Sequence, residues 1–466
     1  MQQNTAVPSY LASAKPNPVS NRAPWYKNTA PTYAGIFLWF VFWSFSLGSG
    51  TPGGILSAGV GVALGSVLVA ALLCHFAFYY APALFGLRTG LPLYIVGSST
   101  FGAVGGFLLP GFLMGLLQFG WLAVNTFGSA TALNAMFGFN DAGLYAIMAI
   151  WGVAAVVTAL KGIKYVGMLS TYLPLIPLAI LIILVAKTIG GVGSFDAAAF
   201  NAAHVVEGKT AMSAFAVFAF ALTYIVGFFA TAGAAGVDFG TGSRNKGDVS
   251  MGGLVGVAGA IFFTIGASIL IVAGFYGSEA GKALLAEGKV ILNPMELMAL
   301  IFNANIAKWL AFALALTAFP SACFCSLIAA NSIKNTLPKV NPWVSCGIGC
   351  AVAVGLAISG IAGKCVAIFG FIGASFGPIC GAIMMEYILC KGRWSGPRAG
   401  FNPAGWISWA VGFIVGVQPN FAAQCGFAIP AAPVAAFIVG AAVYAICAKF
   451  QTAVLPYPQA NAQSAD

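Results

Sequence analysis

The chain has 466 residues, of which only 6% are Asp, Glu, Lys or Arg, against about 25% in ordinary globular domains. So few charges cannot cover a soluble protein of this size; with 60% hydrophobic residues, 59 glycines and a mean hydropathy of +0.94, the composition is that of closely packed transmembrane helices. A membrane β-barrel is excluded because the apolar stretches are continuous over helix-spanning lengths instead of alternating, and nucleic-acid binding because the basic residues behind the net charge of +10 are scattered singly. The ten cysteines lie almost entirely inside apolar runs and read as buried small hydrophobes, not as disulfide or metal ligands.

Residues 1–32 carry Lys15, Arg22 and Lys27 with three prolines before Arg22 and no signal-peptide pattern, and read as a disordered cytoplasmic tail. A single transmembrane domain follows over 33–450. Its apolar runs, broken at Gly, Pro, Asn and charge clusters, predict twelve helices: 33–54, 56–85, 103–136, 141–160, 163–189, 211–236, 249–276, 306–333, 341–361, 365–390, 402–418 and 427–448. The stretch Leu91–Phe101 reads as an amphipathic piece at the membrane interface. The connection 277–305, with Glu279, Lys282, Glu287, Lys289 and Glu296, suits a short surface helix, and residues 451–466 form a second cytoplasmic tail.

With the N-terminal tail in the cytoplasm, fourteen of the twenty Lys and Arg residues fall on that side, including Arg88, Arg244, Lys334, Arg393 and Lys449. Six, among them Lys187, Lys282 and Lys364, fall on the other. That asymmetry is what the positive-inside rule demands of a multi-pass protein of a bacterial cytoplasmic membrane with both termini inside. Twelve spans with short loops and no soluble domain indicate transport by a single chain working as a monomer. A membrane enzyme would need a constellation of titratable groups, yet His75 and His204 are isolated. A channel would need rings of charges or carbonyl motifs, and the sequence has neither.

Discontinuous helices mark the binding sites of such carriers, because unwound backbone inside a membrane must be satisfied by a ligand or ion. The first span is interrupted by Ser46, Gly48, Ser49, Gly50, Thr51, Pro52, Gly53 and Gly54, and the sixth by Gly227, Thr231, Gly233 and Gly236 beside Phe228 and Phe229. Breaks five spans apart fit a five-plus-five inverted repeat with two additional C-terminal helices. In the third span Gln118, Trp121 and Asn125 stand at i, i+3 and i+7, one face of a helix. An indole between two amides offers a stacking surface and both donors and acceptors to a flat heteroaromatic ligand.

The segments NTAPTYAGIFLW, GWLAVN, GFFATAGAAGVDFGTGSRN and FIGASFGPICGAIMMEYIL followed by FNPAGWISWAVGFIVGV resemble the nucleobase:cation symporter family, in particular its cytosine and purine permease branch. The resemblance runs from about residue 25 to 450. Its most specific elements are the acidic-aromatic-Gly-Arg segment after the sixth span and the Pro-Gly-acidic-Tyr pattern in the tenth. It implies a leucine-transporter type fold, alternating access, and a heterocyclic base held between aromatic rings of the third and sixth helices. On that resemblance Trp121 is the stacking ring, Phe229 the aromatic of the sixth helix with Phe228 one place off, Asn125 a ligand-binding amide, and the break from Ser46 to Gly50 a source of carbonyls for the cation and of a polar contact to the base. Asp238 with Arg244, and Glu386, fall at cytoplasmic helix ends as structural or gating charges.

The eighth span departs from the family pattern. Its sequence LALTAFPSACFCSLIAAN keeps Thr317, Ser321 and Ser326, but Phe319 and Pro320 stand where amides are expected and Ala318 where relatives often carry a hydroxyl. The substrate thus stays open among cytosine, a purine, and cyclic amides such as a hydantoin, allantoin or a thiamine-precursor pyrimidine; the alternative is an amino-acid or amine carrier of the same fold. Sodium is the expected coupling ion, with the proton as alternative, because oxygen ligands near Gly48, at Thr317 and at Ser321 suffice for it and no titratable group lies centrally.

Overall fold

A computed structural model describes residues 7–37, 43, 47, 50–161, 172–337 and 339–457. The apolar segments are helical: α1 (Thr29–Phe37), α2 (Val60–Thr89), α3 (Phe107–Phe137), α4 (Asp141–Leu160), α5 (Leu175–Ser194), α6 (Ala214–Ala234), α7 (Lys246–Tyr276), α8 (Ala304–Lys334), α9 (Pro342–Ile358), α10 (Cys365–Leu389), α11 (Pro403–Val417) and α12 (Ala432–Cys447). Nine of the helices found among the described residues are long and apolar enough to cross a membrane. Trp43 and Leu47 continue the first span as helical residues. The connection after α7 folds as two short helices, Glu279–Ala286 and Pro294–Ile301, each capped by a side chain, Ser278 and Asn293.

The helices sort into two groups. Helices α1, α2, α6 and α7 pack on one another, and α3, α4, α8 and α9 form the other group. The members of each group lie five positions apart, as a five-plus-five repeat requires. Their apolar contacts are separate only in part: Phe119, Leu122, Met148, Cys323 and Cys350 belong to a cluster of the second group, whereas Trp121, Val124, Trp151 and Leu314 of that same group join the main core. Helix α10 lies against α6 and joins α11 and α12 in a third assembly.

The terminal segments depart from the expectation of a disordered tail. Residues 7–28 are folded on one face: Leu11 is fully buried, Asn17 N–H donates to the Gly90 carbonyl at 2.8 Å, and Trp25 N–H reaches Asp248 at 3.2 Å. At the other end Leu455 N–H donates to Pro397 O at 2.7 Å, and the Tyr457 hydroxyl to Leu11 O at 3.2 Å. The described terminal segments therefore occupy the same face, hereafter the terminal face, and the number of crossings between them is even. The physical reason is that Leu11, Leu455 and Tyr457 are apolar enough to anchor short segments that composition alone marks as polar.

Leu91–Phe101 also differs from expectation. It forms two short helices, Leu93–Val96 and Ser98–Phe101, that are almost wholly buried instead of lying in the interface. The segment 394–402 covers them: Arg398 Nε donates to Ser99 O at 3.0 Å, Trp394 Nε1 to Val96 O at 2.9 Å and Asn402 Nδ2 to Thr100 O at 2.8 Å.

At the opposite face, residues 50–54 lie at the end of the first span and not at its middle. Gly50, Gly53 and Gly54 take left-handed backbone conformations there, with φ of 70°, 72° and 52°. The helix Ala197–Ala203 clasps this turn, since Gly53 N–H donates to His204 Nδ1 at 3.0 Å and Asn201 Nδ2 to Ser57 O at 2.9 Å. Only a neutral imidazole accepts at Nδ1, and burial holds His204 below the ordinary histidine value of 6.5. The clasp is thus complete above the unfolded value and is lost as the pH falls through the lower folded value. Acidifying the purified protein from about pH 7.5 to 5 is expected to lower its melting temperature, and to do so less in His204→Asn; equal slopes would rule the clasp out.

Candidate functional site

A cavity of about 50 Å³ lies between the two helix groups, lined from α1 by Ile36, from α3 by Gln118, Trp121 and Asn125, from α6 by Phe228 and Thr231, and from α8 by Ser321 and Phe324. At roughly 10–15 Å³ per ordered water it holds a few water molecules. It adjoins a cavity of about 800 Å³ that reaches the terminal face between the exposed Asn21, Asn331 and Lys334. The site is therefore approached from the terminal face.

Its centre is a group of three rings. The Trp121 indole stacks on Phe369 of α10, with centroids 4.9 Å apart and planes at 28°, and meets Phe228 edge-on at 4.4 Å. Phe228 and Phe369 stand at 90° and 5.3 Å. The indole N–H donates to Thr231 Oγ1 at 3.1 Å, so the ring is tied to α6 by its polar edge and held by packing on its faces. Phe369 sits one turn into α10, on the side away from the termini, and covers the indole from that side.

The polar groups around the rings differ in what they have left to offer. Asn125 Nδ2 donates to Ala318 O at 3.0 Å, while its Oδ1 accepts from Trp151 Nε1 at 3.1 Å and Ser129 Oγ at 3.4 Å, leaving one N–H. Among the described residues Gln118 donates only to the Met114 sulfur, at 3.3 Å, so its carbonyl oxygen remains for a ligand. Among the described residues the Ser321 hydroxyl, which lines the cavity, has no hydrogen-bond partner.

Helix α8 is bent beside this cavity. It consists of Ala304–Thr317 and Phe319–Thr336 with a single turn residue, Ala318, between them. Pro320 has no N–H to bond Leu316 O, and Ala318 N–H turns to Ala315 O at 3.1 Å. Asn125 reaches the buried Ala318 O, which also accepts the Ala322 N–H at 3.3 Å. In α6 the regular geometry gives way twice, as a π turn over Leu222–Val226 and at Ala235, so the irregularities flank the stretch Gly227–Gly233.

No protein-family profile and no curated protein matches the sequence. In three dimensions the chain is similar to Mhp1, a nucleobase-cation-symport-1 family transporter, in a closed conformation with bromovinylhydantoin bound: the TM-score is 0.69 at 16% identity, with 99% of each chain covered. An inward-facing conformation of Mhp1 matches with a TM-score of 0.62 at 16% identity, covering 97% of this chain and 98% of that one. A Na+-coupled sialic acid symporter, substrate-bound and outward-open, matches at 0.61 and 14% identity over 94% of this chain and 92% of its own. The chain has their fold. It is the leucine-transporter type of arrangement that the sequence resemblance implies, an all-α membrane protein, and its cavity lies between the two groups of repeat-related helices.

Within that fold the expected site residues part company. Gln118, Trp121, Asn125, Phe228 and Ser321 converge on one cavity. Phe229 does not: it is fully buried and packs toward Tyr33, with ring centroids 6.1 Å apart. The 3.6-residue period explains the difference, because Phe228 shares its face with Thr231, Ala232 and Ala235, all cavity-lining, whereas Phe229 points about 100° away. Thr317 is buried outside the cavity lining, and its hydroxyl donates to Leu314 O at 2.7 Å, which leaves its lone pairs for a cation. Ser326 likewise bonds back to Ala322 O at 2.9 Å. Ser46, Gly48 and Ser49 lie outside the described residues.

Two of the expected gating charges have other partners. Arg244 pairs with Asp248 at 2.7 Å, not with Asp238, and Asp238 instead accepts the Leu93 N–H at 3.0 Å. Glu386 is fully buried in a network with Tyr444, Ser395, Gln451 and Arg398. Sequence reasoning missed Phe369 and the role of Thr231 as the partner of the indole. Nothing in the apolar first half of the tenth span singles out Phe369, whereas Thr231 at i+3 from Phe228 was open to the same face argument that groups Gln118, Trp121 and Asn125.

Proposed function

We propose that the protein is a secondary active importer of a nucleobase or related flat heterocycle, driven by symport of a cation. The observation that carries this reading is Trp121, a stacking ring fixed by Thr231 and bordered by the Gln118 carbonyl and the Ser321 hydroxyl, in a fold shared with a transporter that binds a hydantoin. Hydantoins and nucleobases share a planar ring edged with N–H and C=O groups, the chemistry that this lining complements. Uptake of labelled cytosine, adenine, guanine, uracil, allantoin and hydantoin by cells expressing the chain tests it. Competition by an amino acid, with none by the heterocycles, would overturn it.

Sodium is the proposed coupling ion. Thr317 offers a hydroxyl whose proton is already committed to Leu314 O, and among the described residues no cluster of three or more His, Cys, Asp and Glu offers a different kind of cation site. Replacing sodium by choline is expected to abolish concentrative uptake and a protonophore to spare it; the reverse result assigns the coupling to protons. The charge asymmetry supports a cytoplasmic terminal face, and on that reading the state with the open vestibule is inward-facing. Cys425, an exposed thiol on the opposite face, should then react with a membrane-impermeant maleimide added outside intact cells.

A further inference from the structure

The vestibule is large enough to be more than a passage. Its volume of about 800 Å³ falls in the range of roughly 300–1,000 Å³ typical of small-molecule sites, and it shares Phe239 and Phe324 with the central cavity. Its polar groups are also gathered, not dispersed. The N-terminal segment brings Asn17 and Asn28 to the turn that follows α6, where Asn17 Nδ2 donates to Thr241 O at 3.0 Å. The Asn28 amide nitrogen packs against Gly242, 2.6 Å from where a Cβ would stand. Asp238, at the same turn, uses Oδ1 to accept the Leu93 N–H at 3.0 Å.

Two groups at this corner are left over. Among the described residues Asn28 Nδ2 is buried without a hydrogen-bond partner. The second oxygen of Asp238 makes no hydrogen bond among those residues either, and the side chain is exposed where it lines the vestibule. A buried amide donor without an acceptor is costly, and the Asp238 carboxylate in the lining of the same vestibule supplies the opposite polarity. Together they complement the N–H and C=O edge of a planar heterocycle, while Tyr94 and Phe239 of the same lining offer ring surface.

We propose that the vestibule is a second station for the heterocycle, held at its polar edge by Asp238 and Asn28 and occupied on the way between the central site and the cytoplasm. This rests on the function proposed above. The station is the weaker of the two because it faces water and lacks the stacked indole.

Equilibrium binding of tritiated cytosine, adenine, guanine, allantoin and hydantoin to the purified full chain tests it. At least one compound is expected to fill two sites per chain, the second roughly tenfold weaker. Asp238→Asn, which keeps an oxygen for the Leu93 N–H, and Asn28→Ala should each remove the weak site and spare the tight one, whereas Trp121→Ala should weaken the tight site about five- to 150-fold and leave the weak one unchanged. A single site in the wild type, a second site indifferent to both vestibule substitutions, or loss of both sites in those variants overturns the station and leaves the importer standing. Binding of none of the compounds overturns both.

Discussion

Replacement of Trp121 by alanine is expected to weaken heterocycle binding about five- to 150-fold, the equivalent of the roughly 1–3 kcal/mol carried by one base–aromatic contact. Trp121 is itself buried, with one face on Phe369, so the substitution also lowers stability, and the loss of affinity is read in the folded fraction. Phe228→Ala should give a smaller loss, because that ring meets the indole edge-on and not face-on. Phe229→Ala supplies the contrast: it removes a fully buried side chain that does not line the cavity, and should cost about 3–5 kcal/mol of stability with affinity intact in the folded fraction. Equilibrium binding to purified protein measures the first effect and chemical unfolding the second. Equal loss of affinity in Phe228→Ala and Phe229→Ala would show that the face assignment is wrong.

Glu386→Ala is expected to destabilise the protein by about 3–5 kcal/mol. Glu386 is wholly buried, accepts from the Tyr444 hydroxyl and from Ser395 Oγ at 2.7 Å, and lies 3.8 Å from Arg398. Removing the carboxylate leaves a guanidinium that is only about one-tenth exposed without its counter-charge, and a buried unpaired charge costs more than the pair contributes. Arg398 also holds Ser99 O and Thr452 O, each at 3.0 Å, so the disturbance passes to the buried 93–101 segment and to the C-terminal strand of chain. Equilibrium unfolding in mixed detergent micelles reads the change. Arg398→Met added to Glu386→Ala should recover part of the loss, because it removes the orphaned charge; a single variant as stable as the parent would mean that the pair is solvated.

The helices and the central stripe were legible in the sequence for the same reason: both are local properties. A span declares itself by about 18–20 consecutive apolar residues, and so α4 begins and ends where its apolar run does, at Asp141 and Leu160. Gln118, Trp121 and Asn125 fall on one face through the helical period alone, and all three line the cavity. The even number of crossings was legible as well, because lysine and arginine sort by side and their placement is additive along the chain.

What only the tertiary structure decided depends on which elements meet. Asn125 carries the residue type of a ligand-binding amide, but Trp151 and Ala318 take most of its hydrogen-bonding capacity, and neither neighbour is implied by spacing within α3. Phe228 instead of Phe229 faces the indole because the rotation of α6 about its axis is set by its packing on α2 and α10, and a one-residue shift turns a helix face by about 100°. Phe369 enters the site only through that same contact between α6 and α10. The terminal segments, polar by composition, are held by a few buried anchors: Leu11, Leu455 and Tyr457 are buried, and the Tyr457 hydroxyl reaches Leu11 O from the other end of the chain. Periodicity and hydropathy report what a residue faces along its own helix; partners brought together by folding across the chain are set by the complementary shapes of whole helix faces, which no local pattern encodes.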